Sequence, residues 1–253
     1  MLEFNIGFRA IQQRHLECKL YGISAVGMDL YGIFPTEGRL EPLYFDDSDT
    51  YKNGLAYDPI FDRLYYAQGQ GSPDLMYYDF ATDSIVDTNV DLSGTTYAAT
   101  CKGGDYYFIL DGDDALQMVP FDMDTGFGGV EVLVSNITGD DRTFAMGDMD
   151  FTQDGKILVG ASRDGDGSVL FNYDMDADTY EESIVTLGTE IWWLQVSFCH
   201  NGTLWAVRHD TADWYTVTNP LDPTNAALVS AGTLGVGGEG FMDVAAVHPC
   251  TNR

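Results

Sequence analysis

The chain has 253 residues and carries 12 lysine and arginine side chains against 40 aspartates and glutamates, which gives a formal net charge of -28. Such a surface repels phosphate, so the composition excludes a basic nucleic-acid binder and disfavours contact with an anionic membrane. Because 45% of the residues are hydrophobic and 13% are aromatic, the chain can bury a core and is expected to fold.

The acidic residues are mostly aspartate, 31 against 9 glutamates. Aspartate favours turns and caps, whereas glutamate favours helices. Together with 28 glycines, this bias predicts that the acids lie in turns. A solvated acidic surface is the simplest interpretation, and adaptation to salty water or loop sites for a divalent cation are the alternatives.

Residues 1 to 18 precede the first predicted strand. They contain no basic segment followed by an apolar run, so a classical signal peptide is not expected. No stretch of about 18 consecutive apolar residues occurs along the chain, so a membrane span is not expected either. We predict that this segment is an arm or extra strand that packs beneath the fold or reaches a neighbouring subunit.

A pair of strands recurs along most of the chain. The first strand of each pair is apolar or aromatic, and its anchor residues are spaced 44, 42, 51 and 47 residues apart. The anchors are Leu20, Leu64, Tyr106, Ile157 and Leu204. A period of this length is typical of four-stranded propeller blades.

The second strand of each pair runs into a turn, as in Tyr78-Asp79-Phe80-Ala81-Thr82 and Tyr173-Asp174-Met175-Asp176. Asp, Asn, Pro and Thr stand where the chain must reverse, which predicts a hairpin to an outer strand. Outer strands are predicted at 39–45, 85–90, 130–134, 183–187 and 226–230. Innermost strands rich in small residues are predicted at 54–57, 97–100, 149–152 and 195–198.

This organisation resembles the broad class of β-propeller repeat proteins, over about residues 19–247. The resemblance implies an all-β, five-bladed propeller and says little about activity. The C-terminal segment 240–247 reads as an innermost strand, which we expect to pair with the N-terminal strands and so leave no open edge. The predicted blades are 19–50 with 239–250, then 51–94, 95–146, 147–190 and 191–238. Alternatively, residues 8–12 supply the innermost strand of the first blade and the C-terminal strand is surplus, which leaves five and six blades both open.

The four cysteines lie far apart and form no C-x-x-C pair, so a structural zinc site has little support. They are Cys18, Cys101, Cys199 and Cys250. Buried thiols are favoured over disulfides, and all three pairings of the four cysteines stay open.

Two acidic loops that join second and third strands alternate glycine with carboxylates. Such loops could wrap a hard cation, so Asp111, Asp113, Asp164 and Asp166 are the candidate metal ligands, with calcium as the cation. Solvated turns without any cofactor are the simpler interpretation. Residues 174–178 begin like an EF-hand loop, but Thr179 replaces its glycine and Val185 its final glutamate.

Glycoside hydrolysis would need two carboxylates facing each other across a pocket. Five acids fall near the predicted innermost strands or their links, namely Asp148, Asp150, Glu190, Glu239 and Asp243. No G-x-S-x-G motif accompanies the four histidines, so nucleophilic catalysis has less support. With 40 acids in the chain, several near the axis are expected by chance, so no catalytic residue is assigned and a non-enzyme is favoured.

Tryptophans Trp192, Trp193 and Trp214 cluster around the last predicted blade and are the candidate ligand-binding residues. Exposed indole faces could stack on sugars, and concentrated aromatic surface equally marks a protein contact. The leading hypothesis is a non-enzymatic recognition or structural module, a repeated subunit of an extracellular assembly such as a virion surface, tail or appendage. Its partners would be proteins, contacted through residues 1–18. The alternative hypotheses are a carbohydrate-active propeller that binds glycans as a lectin or glycosidase, and a cytoplasmic location.

Overall fold

A computed structural model describes residues 18–45, 50–139, 144, 147–164, 167–184 and 194–246. These residues form an all-β structure whose only helical element is a 3-10 helix at Pro223–Asn225. Within these ranges no helix is long and apolar enough to cross a membrane.

Five antiparallel sheets of four strands each form the blades. Blade 1 contains β1 (Leu20–Ser24), β2 (Leu30–Phe34), β3 (Arg39–Tyr44) and the last strand of the chain, β22 (Phe241–Ala246). Blade 2 contains β4 (Lys52–Asp58), β5 (Arg63–Gln68), β6 (Asp74–Asp79) and β7 (Ser84–Asp91). Blade 3 contains β8 (Thr96–Lys102), β9 (Asp105–Leu110), β10 (Leu116–Val119) and β13 (Glu131–Val134).

The short strands β11 (Phe121–Asp122) and β12 (Gly126–Phe127) pair with each other between β10 and β13. Blade 4 contains β14 (Asp148–Phe151), β15 (Ile157–Asp164), β16 (Gly167–Asp174) and β17 (Thr179–Ile184). Blade 5 contains β18 (Leu194–Phe198), β19 (Leu204–Arg208), β20 (Asp213–Thr218) and β21 (Ala227–Thr233).

The innermost strands contact one another in the ring order β22, β4, β8, β14, β18 and back to β22. The predicted fold class, a five-bladed β-propeller, is therefore confirmed. Strand β22 pairs antiparallel with β1, with Ala246 opposite Leu20 and Asp243 opposite Ile23. Blade 1 thus joins strands from both ends of the described chain. Its inner position, for which residues 8–12 were the alternative, is occupied by β22, and residues 8–12 lie outside the described residues.

The hydrophobic core is divided into five clusters, each filled by two neighbouring blades. Alternation along each strand explains this division, because successive side chains point to opposite faces of a sheet. On β5, Tyr65 packs with Tyr106 of blade 3. Its neighbours Leu64 and Tyr66 belong to the cluster shared with Ile23 of blade 1.

The recurring aspartates have a structural role at the hairpins between third and outer strands. Asp79 Oδ1 accepts hydrogen bonds from the backbone N–H groups two and three residues on, at 2.9 and 3.2 Å. Asp174 Oδ1 does the same at 2.9 and 2.8 Å. The hydroxyl of Tyr173 donates to Asp178, which has a left-handed φ of 53°. These are the local bonds for which aspartate is favoured in turns, so the EF-hand-like segment forms a hairpin turn.

Candidate functional site

Three carboxyl groups are buried where the innermost strands meet. Asp148 and Asp150 lie on β14 and Asp243 lies on β22, with exposed fractions of 0%, 7% and 0%. We call these three residues the axial carboxyl cluster. An innermost strand pairs within its blade along one edge only, so N–H groups on its other edge need acceptors from elsewhere. The axial carboxyl cluster supplies them.

Asp243 connects blade 1 to blade 2. Its Oδ2 accepts the N–H of Leu55 on β4 at 2.6 Å, and its Oδ1 accepts the N–H of Val244 on its own strand at 2.9 Å. Asp148 repeats this arrangement between blades 4 and 5. Its Oδ2 accepts the N–H of Val196 at 3.3 Å and its Oδ1 accepts the N–H of Met149 at 2.7 Å. Each side chain therefore satisfies the edge of a neighbouring strand.

Asp150 connects three blades. Its Oδ1 accepts the Thr100 hydroxyl of β8 at 2.8 Å and the N–H of Phe151 at 2.8 Å. Its Oδ2 accepts the Ser197 hydroxyl at 2.8 Å and the N–H of Phe198 at 2.9 Å, both from β18. The alternating aspartates Asp148 and Asp150 indicated these positions in the sequence, whereas sequence reasoning missed the partners Thr100 and Ser197.

Asp148 and Asp243 also hydrogen-bond to each other across the axis. Burial raises the pKa of Asp148 well above its usual range, and the charge of Asp243 raises it further. Burial raises the pKa of Asp243 to about 7, although hydrogen bonds from Asp148 and from backbone N–H groups oppose that rise. Two carboxyl groups this close cannot both ionise cheaply. The buried pair therefore resists losing both of its protons as the pH rises.

A tyrosine hydroxyl joins blades 2 and 3. Tyr106 on β9 donates to the carbonyl oxygen of Gly54 at 2.7 Å. Gly54 lies in a β-bulge of β4 with a left-handed φ of 66°. A Cβ there would lie 2.6 Å from both the Tyr106 hydroxyl and the methyl carbon of Thr96. The close approach of these two blades therefore requires glycine at position 54.

A disulfide joins blades 5 and 1, between Cys199 after β18 and Cys18 before β1. Buried thiols were predicted for the cysteines, and for this pair that prediction is wrong. The partners are 181 residues apart along the chain, and only the closure of the ring brings them together. Cys101 is buried on β8, and Cys250 lies outside the described residues. Each of the five junctions between neighbouring blades thus has a specific polar or covalent link.

The axis beside Asp150 contains a cavity of about 10 Å³, bordered by Thr100, Ser197 and small side chains of the inner strands. This volume corresponds to about one water molecule.

Three further side chains on inner strands are buried with an oxygen that has no hydrogen-bond partner among the described residues, namely Asn53, Thr96 and Gln195. Ordered water is the usual partner of such groups. Among the same residues no three His, Cys, Asp or Glu side chains are arranged to hold a metal ion.

The predicted metal ligands fall in corresponding loops of neighbouring blades. Asp111 and Asp113 lie between β9 and β10, and Asp164 ends β15 at the same place in blade 4. The Oδ1 of Asp113 accepts the N–H groups of the next two residues, at 2.9 and 3.2 Å. The side chain of Asp164 and the whole of Asp166 lie outside the described residues, so calcium binding stays a prediction.

Of the predicted ligand-binding tryptophans, the structure describes Trp214, which is 2% exposed. Its indole contacts Trp205 and Phe241, with ring centroids 6.2 and 6.0 Å apart, and its N–H donates to the carbonyl of Leu234 at 2.7 Å. Trp214 therefore belongs to the core between blades 5 and 1 and offers no open face to a sugar. The other two candidates, Trp192 and Trp193, lie outside the described residues, as does Glu190.

No protein-family model matches the chain, and no curated protein matches its sequence. Solved structures share its fold. A chain of a nidogen/laminin complex aligns with a TM-score of 0.61 and 12% identity, covering 90% of this chain and 97% of that one. TolB from Acinetobacter baumannii aligns with a TM-score of 0.56 and 12% identity, covering 92% of this chain and 67% of TolB. A protein described as a putative gluconolactonase aligns with a TM-score of 0.53 and 12% identity, covering 75% of this chain and 66% of that one. At such identities the likeness establishes the propeller fold alone.

Proposed function

We propose that this propeller is a non-enzymatic recognition or structural module, a repeated subunit of an extracellular assembly such as a virion surface, tail or appendage. The observation that carries the proposal is how the axial carboxyl cluster is used. In propeller enzymes acids near the axis would act on a substrate, whereas here Asp148, Asp150 and Asp243 accept the edge hydrogen bonds of neighbouring blades. Their chemistry serves the rigidity of the ring, which leaves binding to its outer surface.

The disulfide between Cys18 and Cys199 supports the extracellular location over the cytoplasmic alternative. Disulfides persist in oxidising compartments and are rare in the cytosol. The similarity to a chain from a nidogen/laminin complex is in keeping with a propeller that works through protein contacts. Residues 1–18 remain the proposed route to a protein partner.

Particle size tests the proposal. The native source is fractionated by size, and the chain is detected in the fractions with an antibody. In parallel, the size of the purified protein is measured by light scattering at micromolar concentration. We expect the native chain to occur in particles far larger than a single chain. A truncated chain that starts at Cys18 should be absent from these large particles. A native chain that elutes as a single subunit with no companion would overturn the proposal.

The runner-up, a carbohydrate-active propeller, draws on one observation. Asp148 and Asp243 are two interacting carboxyl groups whose pKa values are raised, and glycosidases also use a pair of carboxyl groups. Their 0% exposure means that a substrate would reach them only after the ring opened. Two experiments separate this function from the assembly function. A glycan array probed with the Trp192→Ala and Trp193→Ala variants tests glycan binding. Assays of the Asp148→Asn variant with aryl glycosides and aldonolactones test turnover. Turnover lost in a folded Asp148→Asn variant would favour the enzyme.

A further inference from the structure

The outer strands of the blades differ in how their open edges are protected. An outer strand exposes a row of backbone N–H and C=O groups, and natural proteins guard such edges with charges, proline or covering loops. Four of the five outer strands carry these devices. They are β3 with Arg39, Glu41 and Pro42, β7 with Asp87 and Asp91, β13 with Glu131, and β17 with Glu181 and Glu182.

The outer strand of blade 5 lacks both charge and proline. Strand β21 reads Ala-Leu-Val-Ser-Ala-Gly-Thr, and all of its residues except the half-buried Leu228 are exposed. No charged residue occurs from position 223 to position 238. In a chain of net charge -28, this stretch is a neutral strip on an acidic surface, and Val229 at 50% exposure is apolar as well.

In the described part of the chain, neighbouring elements leave this strip uncovered. The 3-10 helix Pro223–Asn225 lies against β17 of blade 4, whereas the extensive contacts of β21 among the described residues are with its own partner β20. Between Ala227 and Ser230 the pairing with β20 is regular, and a bulge follows at Ala231. Within the described ranges, a four-residue edge of regular register is therefore left unpaired and can accept a further strand.

We propose that β21 pairs antiparallel with β21 of a second copy of this chain about a two-fold axis. In such a contact each residue faces residues of the same strand, so a carboxylate on the edge would meet its own copies. Like charges directly opposite destabilise strand pairs. At -28 per chain two copies repel over most of their surface, and β21 is the described outer strand where they can meet without opposed carboxylates. This dimer rests on the proposed assembly function, for which it names a contact.

Sedimentation velocity from low micromolar to millimolar concentration tests the pairing with matched variants. Val229→Asp places a carboxylate on β21, and Val132→Asp places the same charge on β13, where Val132 is 60% exposed. Opposed like charges at an interface cost several kcal/mol, so we expect Val229→Asp to weaken the dimer more than about tenfold. Val132→Asp should dimerise like the wild type. Backbone amides of β21 should exchange hydrogen more slowly as the wild-type concentration rises, which links the dimer to this edge.

Each other result overturns the pairing. The wild type could be monomeric throughout, both variants could weaken the dimer equally, or Val229→Asp could leave it intact while removal of residues 1–17 abolishes it. Equal unfolding temperatures for the two variants exclude misfolding as the cause. A purified monomer whose native chain still occurs in a large assembly would refute the β21 contact and leave the proposed function standing.

Discussion

The axis and the turns of this propeller use the same side chain in opposite surroundings. At the turns, Asp79 and Asp174 are partly exposed and accept N–H groups two and three residues away. At the axis, Asp150 and Asp243 are buried and accept N–H groups from other blades, 48 and 188 residues away. A turn aspartate shapes one hairpin, whereas an axial aspartate joins two blades.

The difference shows that sequence separation and solvation decide what a carboxylate contributes. A solvated turn carboxylate exchanges water for a local bond and gains little, because water satisfies its partners when it is removed. A buried carboxylate leaves desolvated donors behind when it is removed, and each of these costs about 1–3 kcal/mol. The axis should therefore be far more sensitive to mutation than the turns.

Removal of the Asp150 side chain should have the largest effect. Asp150→Ala deprives Thr100, Ser197 and the Phe198 N–H of their acceptor, and at about 1–3 kcal/mol for each buried donor we expect a loss of roughly 3–5 kcal/mol of unfolding free energy. Urea denaturation monitored by tryptophan fluorescence measures this loss. Asp174→Ala is the control at a turn, where a loss of about 1 kcal/mol is expected. Similar losses for the two variants would remove the distinction between axis and turns.

Loss of the disulfide should come next. Cys199→Ser removes a link between residues 181 apart, and loss of a native disulfide typically costs about 2–5 kcal/mol. The variant should unfold at a lower temperature in calorimetry, and dithiothreitol should bring the wild type to the same value. If the reductant leaves the wild-type unfolding temperature unchanged, the Cys18 to Cys199 bond does not stabilise the ring.

The pH dependence of stability should show the smallest effect. Native Asp148 and Asp243 hold protons that the unfolded chain releases above about pH 4, because their folded pKa values are raised. Their contribution is complete below the unfolded pKa and declines as pH rises through the folded value, about 7 for Asp243. Asp148→Asn has no such proton to lose, so its unfolding free energy should fall less than that of the wild type between pH 4 and 7.

Asp91→Asn is a control of opposite sign, in the range below about pH 4. Hydrogen bonds from Ser72 and the Ser93 N–H lower the pKa of Asp91, so the wild type gains stability from this group as the pH rises towards about 4 and keeps it above that pH, and the variant lacks that gain. Parallel curves of unfolding free energy against pH for the wild type and Asp148→Asn would show that folding does not raise the pKa of Asp148.

Much of the fold could be predicted from local pattern. The period anchored at Leu20, Leu64 and Tyr106 gave the blades, and the turn aspartates gave the hairpins, because alternation and turn chemistry act over a few residues. The site was predicted in part. Asp148, Asp150 and Asp243 were placed near the axis, but their partners Thr100 and Ser197 carry no sequence signal of their own. Trp214 looked like a ligand-binding residue, since burial of an indole depends on a neighbouring blade that its own strand does not reveal.

The sequence by itself determined the all-β class, the blade period and the acidic surface, since these follow from composition and from contacts within one hairpin. Tertiary structure alone decided that Cys18 meets Cys199, that the carboxyl groups of Asp148 and Asp243 interact, and that Asp150 bonds to Thr100 and Ser197. Those features depend on residues brought together when the ring closes. Their energies come from desolvation and from hydrogen bonds between blades, which depend on distance in space and leave no regular spacing along the chain.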